Sequence, residues 1–285
     1  MSSNAALRKV QWLINAKKGG HSGALDPIAT GILPLSFGDA SKFSQAWLES
    51  DKTYVTDMQL GVVTDSYDIE GEIVARNNVP SITLEQVQAL LDAHFTGAIE
   101  QTPPAFSALK VDGKPLYELA RAGDPRALEE MAKKRRTITV FHAKALSLDG
   151  DMLKLEYKVS KGTYIRSLVH DLGQLLGCGG HIQTLRRIQH GPFTIDQCVD
   201  WDAALAHAKD YLQPIGTGIN APKFVVGEQF ITPIMNGNPI KDERFAGEAG
   251  TYQLRDVNDR FLGLAEVSST GEVKPRRLVQ KDALS

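Results

Sequence analysis

The sequence predicts an α+β protein that ends in a small all-β module, and three patterns carry that expectation. Apolar residues recur at helical spacing over 2–16, 84–95 and 165–176. Strand-like alternation covers 52–63, 71–76 and 137–159. Beyond about residue 222 the texture changes to short apolar runs between turns: Phe224 to Val226, Tyr252 to Arg255, Leu262 to Val267 and Glu272 to Leu278. That spacing fits a β module of roughly 60 residues.

Taken in order, the first helix places Leu7, Val10, Leu13 and Ile14 on one face, with Ser2, Ser3 and Asn4 as candidate N-caps. Lys17 to Gly23 reads as a flexible, Gly-rich loop. Asp26-Pro27 predicts the start of a short helix, Asp at the N-cap and Pro at the first helical position. Gly61 and Gly71 mark turns around the strands 52–63 and 71–76. Leu84, Val87, Leu90, Leu91 and Phe95 line the face of a second helix. Gln101 to Gly113 is a Pro-containing loop, Leu116 to Ala122 a helix, and 124–136 a polar insert closing on Lys133-Lys-Arg-Arg136. Asp149-Gly150 supplies the turn within 137–159. A helix over 201–213 runs into a connector.

At 285 residues the chain has room for one large domain or two. Hydrophobic residues make up 42% and charged residues 23%, ordinary values for a globular protein with a sizeable core. The net charge of -2 does not announce a nucleic-acid partner, but charge is unevenly spread. From Lys110 to Arg187 there are 15 Lys/Arg against 9 Asp/Glu, whereas 51–72 is acidic through Asp57, Asp65, Asp68, Glu70 and Glu72. A near-neutral protein with one basic region can still hold a phosphate backbone through that region. Cys178 and Cys198 form no CxxC pair, so two reduced cysteines are expected. Met1-Ser-Ser-Asn opens without an apolar signal core, and no run approaches 18 apolar residues. The expected location is the cytoplasm, with no membrane partner. Neither GxGxxG nor a GxxxxGK[ST] loop is present, HExxH and GxSxG are missing, and the seven histidines show no ligand cluster. No nucleotide cofactor and no metal is called for, so ordinary side chains must carry any chemistry.

The strongest single feature is the run Gly20-His-Ser-Gly-Ala-Leu-Asp-Pro-Ile-Ala-Thr-Gly-Ile-Leu-Pro34. Gly38-Asp-Ala-Ser-Lys-Phe43 follows, then Asp51-Lys-Thr-Tyr54 with Leu60-Gly61 and Thr64-Asp65. Next come Pro103-Pro-Ala-Phe-Ser-Ala-Leu-Lys110, Leu116-Tyr-Glu-Leu-Ala-Arg121, Lys161-Gly-Thr-Tyr-Ile-Arg166 with Asp171-Leu-Gly173, and Leu185-Arg-Arg187. Asn236-Gly-Asn-Pro239 and Lys274-Pro-Arg-Arg277 stand near the end. This colinear set closely resembles the signature segments of the TruB family, the tRNA pseudouridine-55 synthases, over nearly the whole chain.

The resemblance implies a pseudouridine-synthase catalytic domain over 1–221, with a mixed, largely antiparallel sheet flanked by helices, and a PUA-like RNA-binding domain over 222–285. It implies an isomerase acting on tRNA at uridine 55 of the T arm. The N1–C1′ bond is broken, the base turns, and it rejoins through C5, with no cofactor and no metal. Nothing points to an obligate oligomer, so a monomer is expected. The target base is stacked in a folded loop and must be flipped out, a cost that aromatic surfaces and phosphate contacts have to offset.

By the same resemblance, Asp26 matches the family's essential aspartate. A carboxylate can act as a nucleophile, as in glycosidases; attack on C1′, addition to the uracil ring and abstraction of a sugar proton all stay open at the level of sequence. An isolated Asp-Pro is most often only an N-cap, and the two roles can coexist. Arg166 matches the arginine partner of that aspartate. Tyr54 matches the position that stacks on the flipped base, its hydroxyl also able to serve as acid or base. Tyr164 matches a second substrate-contacting position, Leu185 an apolar residue packing on the base, and His21 a residue near the vacated base position. Taken alone, the two tyrosines read as half-buried strand residues, Leu185 as core and His21 as a solvated loop histidine. Lys17, Lys18 and Lys42 are candidate phosphate contacts. Lys133 to Arg136 reads as an RNA-facing run or a solvated loop, and Arg186, Arg187, Arg276 and Arg277 are set toward the tRNA backbone by the family comparison.

Family members begin upstream, with an apolar strand and a Lys-Pro-x-Gly turn, and Met1 falls inside that pattern. The expectation is an N-terminally shortened chain lacking the first strand, less stable than an extended form. Two rival readings are an RNA-binding or RNA-folding protein without chemistry, and a glycoside hydrolase with paired carboxylates. The joint presence of Asp26, Tyr54 and Arg166 speaks against the first. The second requires an acidic partner for Asp26, which the motif set does not offer, and would release free uracil.

Overall fold

The computed structural model describes residues 1–280 apart from 108 and 112. Two compact units emerge: one of Leu25–Ile32 with Glu49–Asp196, the other of Met1–Ala24, Leu33–Leu48 and the chain from Gln197 onward.

The first unit is built on a seven-stranded sheet. Phe193–Thr194, Gly180–His190, Lys52–Leu60, Met152–Val159, Arg136–Asp149 and Gly97–Gln101 follow one another, each antiparallel to its neighbour. Ala29–Gly31 joins Gly180–His190 in parallel. The alternation read from the sequence is present in Met152–Val159: Leu153, Leu155, Tyr157 and Val159 are all buried, as a strand with one face on the core requires. Gly150, at φ +55, makes the tight turn into that strand from Arg136–Asp149. Helices Leu84–His94 and Ile165–Leu175 contribute Val87, Leu91, Leu168, Val169 and Leu172 to the same core as Met58, Leu153 and Tyr157. Helix 84–94 starts where the sequence can satisfy its free N–H groups. The Thr83 hydroxyl accepts from Gln86 N, and the Gln86 side chain accepts from Thr83 N. Each fully buried Leu or Val here contributes about 1.5–3 kcal/mol.

The second unit holds helix Ser3–Leu13, capped by Ser2 and burying Leu7 and Val10. It also holds the sheet Lys223–Val225, Gly250–Arg255, Phe261–Val267, Thr270–Leu278 and Ile240–Ala246, in that order. The C-terminal module is thus β-rich, as expected, but among its described residues it also carries a helix, Glu228–Met235, which the sequence pattern does not predict. Pro233 sits inside this helix and masks its periodicity. No helix among the described residues is long and apolar enough to cross a membrane.

Other expectations are corrected. Part of the stretch Lys17–Gly23 is a strand, Gly19–His21, paired antiparallel with Leu35–Phe37. The insert 124–136 contains a helix, Arg126–Lys133. The helix expected over 201–213 ends at His207. Asp26-Pro27 opens no helix. The carbonyl of Asp26 accepts from Ala29 N at 2.9 Å, a single turn, and the chain then enters the strand Ala29–Gly31. Pro27 presets φ for such a turn as readily as for a helix, and the pairing with Leu185–Arg187 captures the residues that would have continued a helix.

Two buried cations flank this region. Arg187 is only 1% exposed, and its Nε donates to the Ile32 carbonyl at 2.7 Å. It was expected to reach the tRNA backbone, but a fully buried guanidinium cannot; it fastens 29–32 to its neighbour strand instead. Gly31 completes the fastening: at φ +96 it lies so near that strand that a Cβ would stand 2.1 Å from the Arg187 carbonyl oxygen. Lys52 is 6% exposed and donates to the Ser50 carbonyl. Burial, and then the neighbouring Arg187 charge, lower its pKa from 10.5 to about 8. Between these two values the unfolded chain holds a proton that the folded chain has released, so stability rises with pH across that window. Below about pH 8 the destabilisation is full. The melting-temperature difference between wild type and Lys52→Met is therefore expected to shift in favour of wild type from pH 7 to pH 10, as read by thermal scans at each pH; a constant difference would rule the effect out.

Candidate active site

The parallel strand 29–31 sets Asp26, at the head of its turn, beside residues that lie far away in sequence. Arg166 stands in the first turn of helix Ile165–Leu175. Its Nε donates to Asp26 Oδ2 at 2.9 Å and its Nη2 to Asp26 Oδ1 at 3.1 Å, a bidentate fork that fixes the plane of the carboxylate. The other donors are also engaged. Nη2 donates to the Phe106 carbonyl at 3.0 Å and Nη1 to the Ser66 carbonyl at 3.2 Å, and Nη1 lies 3.4 Å from Asp68 Oδ2. The side chains of Arg166 and Asp68 are 6% and 5% exposed, whereas that of Asp26 is 32% exposed. A buried cation thus sits between two carboxylates, of which only Asp26 opens outward. Both of its oxygens are held by Arg166, yet the carboxylate keeps an outward edge open to solvent.

Asp68 is the residue that sequence reasoning missed. It was read only as part of an acidic stretch, and Asp26 was expected to lack an acidic partner. Asp68 is locked by the Ser66 hydroxyl at 2.6 Å and by Glu70 N at 3.1 Å. Being buried and spent on Arg166, it does not form the open, paired-carboxylate geometry of a glycosidase. Gln101, also buried, was read only as the start of a loop. Its amide accepts from Tyr164 N at 2.8 Å and donates to Tyr164 O at 2.9 Å, so it holds the backbone immediately ahead of Arg166. Neither residue gives a sequence signal beyond its polarity, because its value comes from a partner far along the chain.

The remaining predicted residues divide between the two units. In the unit of Asp26, Tyr54 is half-buried on strand 52–60, with Tyr157 and Arg187 as its partners on the two neighbouring strands. Tyr164 is the N-cap residue of the Arg166 helix, and the Arg136 guanidinium lies 5.2 Å from its ring centroid. Arg136 also donates to the Gly162 carbonyl. This member of the expected basic run is therefore turned onto Tyr164, while Lys133 pairs with Glu130 at 2.7 Å. Leu185 is buried on the strand that pairs with 29–31. Arg186 is exposed, with Nη1 donating to the Thr30 hydroxyl at 3.3 Å. In the other unit, His21 belongs to strand Gly19–His21, and Lys17, Lys18 and Arg276 are exposed. Lys42 binds Asp39 Oδ1 at 2.9 Å and the Leu278 carbonyl at 3.1 Å, and its own carbonyl accepts from Arg277. Those contacts already occupy much of the charge expected to meet phosphate. Among the described residues no group of three or more His, Cys, Asp or Glu is placed to hold a metal ion.

Three family models match the chain in sequence. "TruB family pseudouridylate synthase (N terminal domain)" covers 11–165, "tRNA pseudouridylate synthase B C-terminal domain" covers 166–215, and "Pseudouridine synthase II TruB, C-terminal" covers 222–279. The tRNA pseudouridine synthase B of Stutzerimonas stutzeri is 46% identical over 290 residues, 99% of this chain and 92% of that protein. That of Ectopseudomonas mendocina is 45% identical over 291 residues, with the same coverage. Among solved structures, a chain of a Cbf5-Nop10-Gar1 complex superposes with a TM-score of 0.71 at 22% identity, covering 99% of this chain and 83% of that one. A chain of an H/ACA RNP bound to a substrate RNA containing 2'-deoxyuridine gives 0.70 at 19% identity, covering 98% and 82%. These two likenesses concern the fold, whereas the sequence matches carry the kinship: this chain belongs to the TruB family of pseudouridylate synthases.

Proposed function

We propose that the chain isomerises uridine 55 in the T loop of tRNA to pseudouridine, with Asp26 as the catalytic carboxylate. The observation that carries this reading is the outward edge of an Asp26 carboxylate whose inner edge is gripped by a buried arginine. The reaction needs nothing more from outside. The N1–C1′ bond breaks, C5 bonds to C1′, the C5 proton leaves to water and N1 gains one, so atoms and charge balance without a cofactor. Tyr54 supplies a ring for the flipped base, Leu185 an apolar wall and Tyr164 a second contact. His21 is the residue we assign to the gap left in the T loop. Arg186, Arg276 and the exposed lysines Lys17 and Lys18 are the assigned backbone contacts. We assign 1–221 to the catalytic domain and 222–285 to a PUA-like RNA-binding domain, acting as a monomer in the cytoplasm.

The test is a T-arm hairpin RNA incubated with the protein and analysed for pseudouridine and for free uracil. Pseudouridine without uracil is the expected result. Uracil release would turn the reading to a hydrolase, and binding with neither product to an RNA-folding protein.

A further inference from the structure

The turn Thr64–Asp68 meets helix Ile165–Leu175 at two successive helical turns. Arg166 and His170 are four residues apart and share one helix face; Ser66 and Tyr67 are adjacent. At the first level Arg166 Nη1 donates to the Ser66 carbonyl at 3.2 Å. At the second the His170 ring lies flat on the Tyr67 ring, centroids 3.8 Å apart and planes within 17°. We propose that Tyr67 and His170 are a positioning pair for the isomerisation. Their stack locks the 64–68 turn against the helix, so that the Ser66 carbonyl and the Asp68 carboxylate meet Arg166, and Arg166 in turn orients Asp26. The inference rests on the reading of Asp26 given above.

Two features of the pair set it apart from ordinary packing. Tyr67 is held at φ +65, in the left-handed region that a bulky side chain seldom enters. Such strain persists only where the surroundings over-determine it, and it gathers at functional sites. Glycine or asparagine would adopt this backbone more easily, but neither would supply the ring that stacks on His170. The backbone is pinned from both sides: Tyr67 N donates to the Thr64 carbonyl at 3.3 Å, and the Tyr67 carbonyl accepts from Ile182 N at 3.0 Å. His170, for its part, is held by its face. Its Nδ1 is buried with no hydrogen-bond partner among the described residues, and burial lowers its pKa, which favours the neutral ring one turn from a guanidinium. Beyond Tyr67, Asp68 continues the chain into a bridge with Ile182, on the strand that carries Leu185. A tilt of the turn therefore reaches Arg166 and strand 180–190 together.

The experiment is single-turnover conversion of the T-arm hairpin by wild type, His170→Ala, His170→Phe, Tyr67→Asn and Asp26→Asn, with RNA affinity measured in parallel. His170→Ala and Tyr67→Asn are expected to slow conversion roughly tenfold to a hundredfold, the scale of a misplaced reacting group. Their RNA affinity should stay within about twofold of wild type, since neither residue is assigned to the RNA. Tyr67→Asn suits the left-handed backbone, so its loss reports the ring and not the turn. His170→Phe keeps the stack without a titratable nitrogen and is expected to restore the rate to near wild type. The proposal is overturned by a wild-type rate in His170→Ala, by His170→Phe as slow as His170→Ala, or by rate losses matched by equal losses of affinity. Retained activity in Asp26→Asn would instead sink the reading of Asp26, and the pair with it.

Discussion

Asp26→Asn is expected to lower the rate of pseudouridine formation by at least about 10⁴-fold, the scale on which single members of a catalytic unit act. Asparagine keeps the size and the turn but removes the charge. Its carbonyl oxygen can still accept one bond from Arg166, while its amide nitrogen would turn a donor toward a donor. The guanidinium retains Asp68 and two carbonyls, so the fold should survive with a small loss of stability. RNA affinity should be preserved or slightly raised, because the substitution takes one negative charge away from a polyanion. Quantifying nucleosides after digestion of the reacted RNA measures the product directly. A variant that converts the T arm at a rate near wild type would remove Asp26 from the chemistry altogether.

Arg166→Met is the second large effect, and it differs in kind because stability falls together with activity. Removing the cation leaves Asp68 buried beside an uncompensated Asp26, a change that costs about 3–5 kcal/mol when one partner of a buried pair is deleted. Denaturant titration should show this loss, and Asp68→Asn in the same chain should recover part of it, since coupled partners are not additive. Arg166→Lys tests geometry apart from charge. A lysine ammonium offers one point where the guanidinium offers a planar fork, so it cannot hold both Asp26 oxygens while serving the Ser66 and Phe106 carbonyls. It is expected to be closer to wild type in stability than Arg166→Met, yet slower than wild type by about 10²-fold. Equal rates for Arg166→Lys and wild type would mean that charge alone suffices at this position.

Local pattern made much of the fold legible. The helix over Leu84–His94 carried both an apolar face and its capping pair, and the strand Met152–Val159 alternated cleanly. Gly180–His190 was not recognised as a strand although it is 11 residues long. Register shifts against strand 52–60 fall between Ile182 and Thr184 and again between Arg187 and Gln189, and each breaks the period-2 pattern on which such a reading depends. Asp26-Pro27 failed for a different reason: its local preference is shared by turn and helix, and a partner strand far along the chain decides between them. Sequence resemblance named both Asp26 and Arg166, which the structure brings into a bidentate contact. It was silent on Asp68 and Gln101, whose roles are fixed by what Arg166 and Tyr164 need in three dimensions. Arg187 shows the opposite error, because an arginine next to an exposed one looks like a phosphate contact until the strand pairing turns it inward.

The pairing of Thr30 with Arg186 spans 156 positions, and this has a bearing on how the protein comes into being. Chain closure over such a separation is slow and cannot start until the distal partner exists. During synthesis the Asp26 turn leaves the ribosome early but has nothing to dock on until residues 180–190 follow. The strands 136–149 and 152–159, joined by their own short turn, can pair well before then. The Asp26 turn therefore gains its docking strand only once residues 180–190 have been made, and a chain ending before them lacks the pairing that holds this carboxylate beside Arg166. In refolding, recovery of enzymatic activity should trail recovery of backbone signal for the same reason.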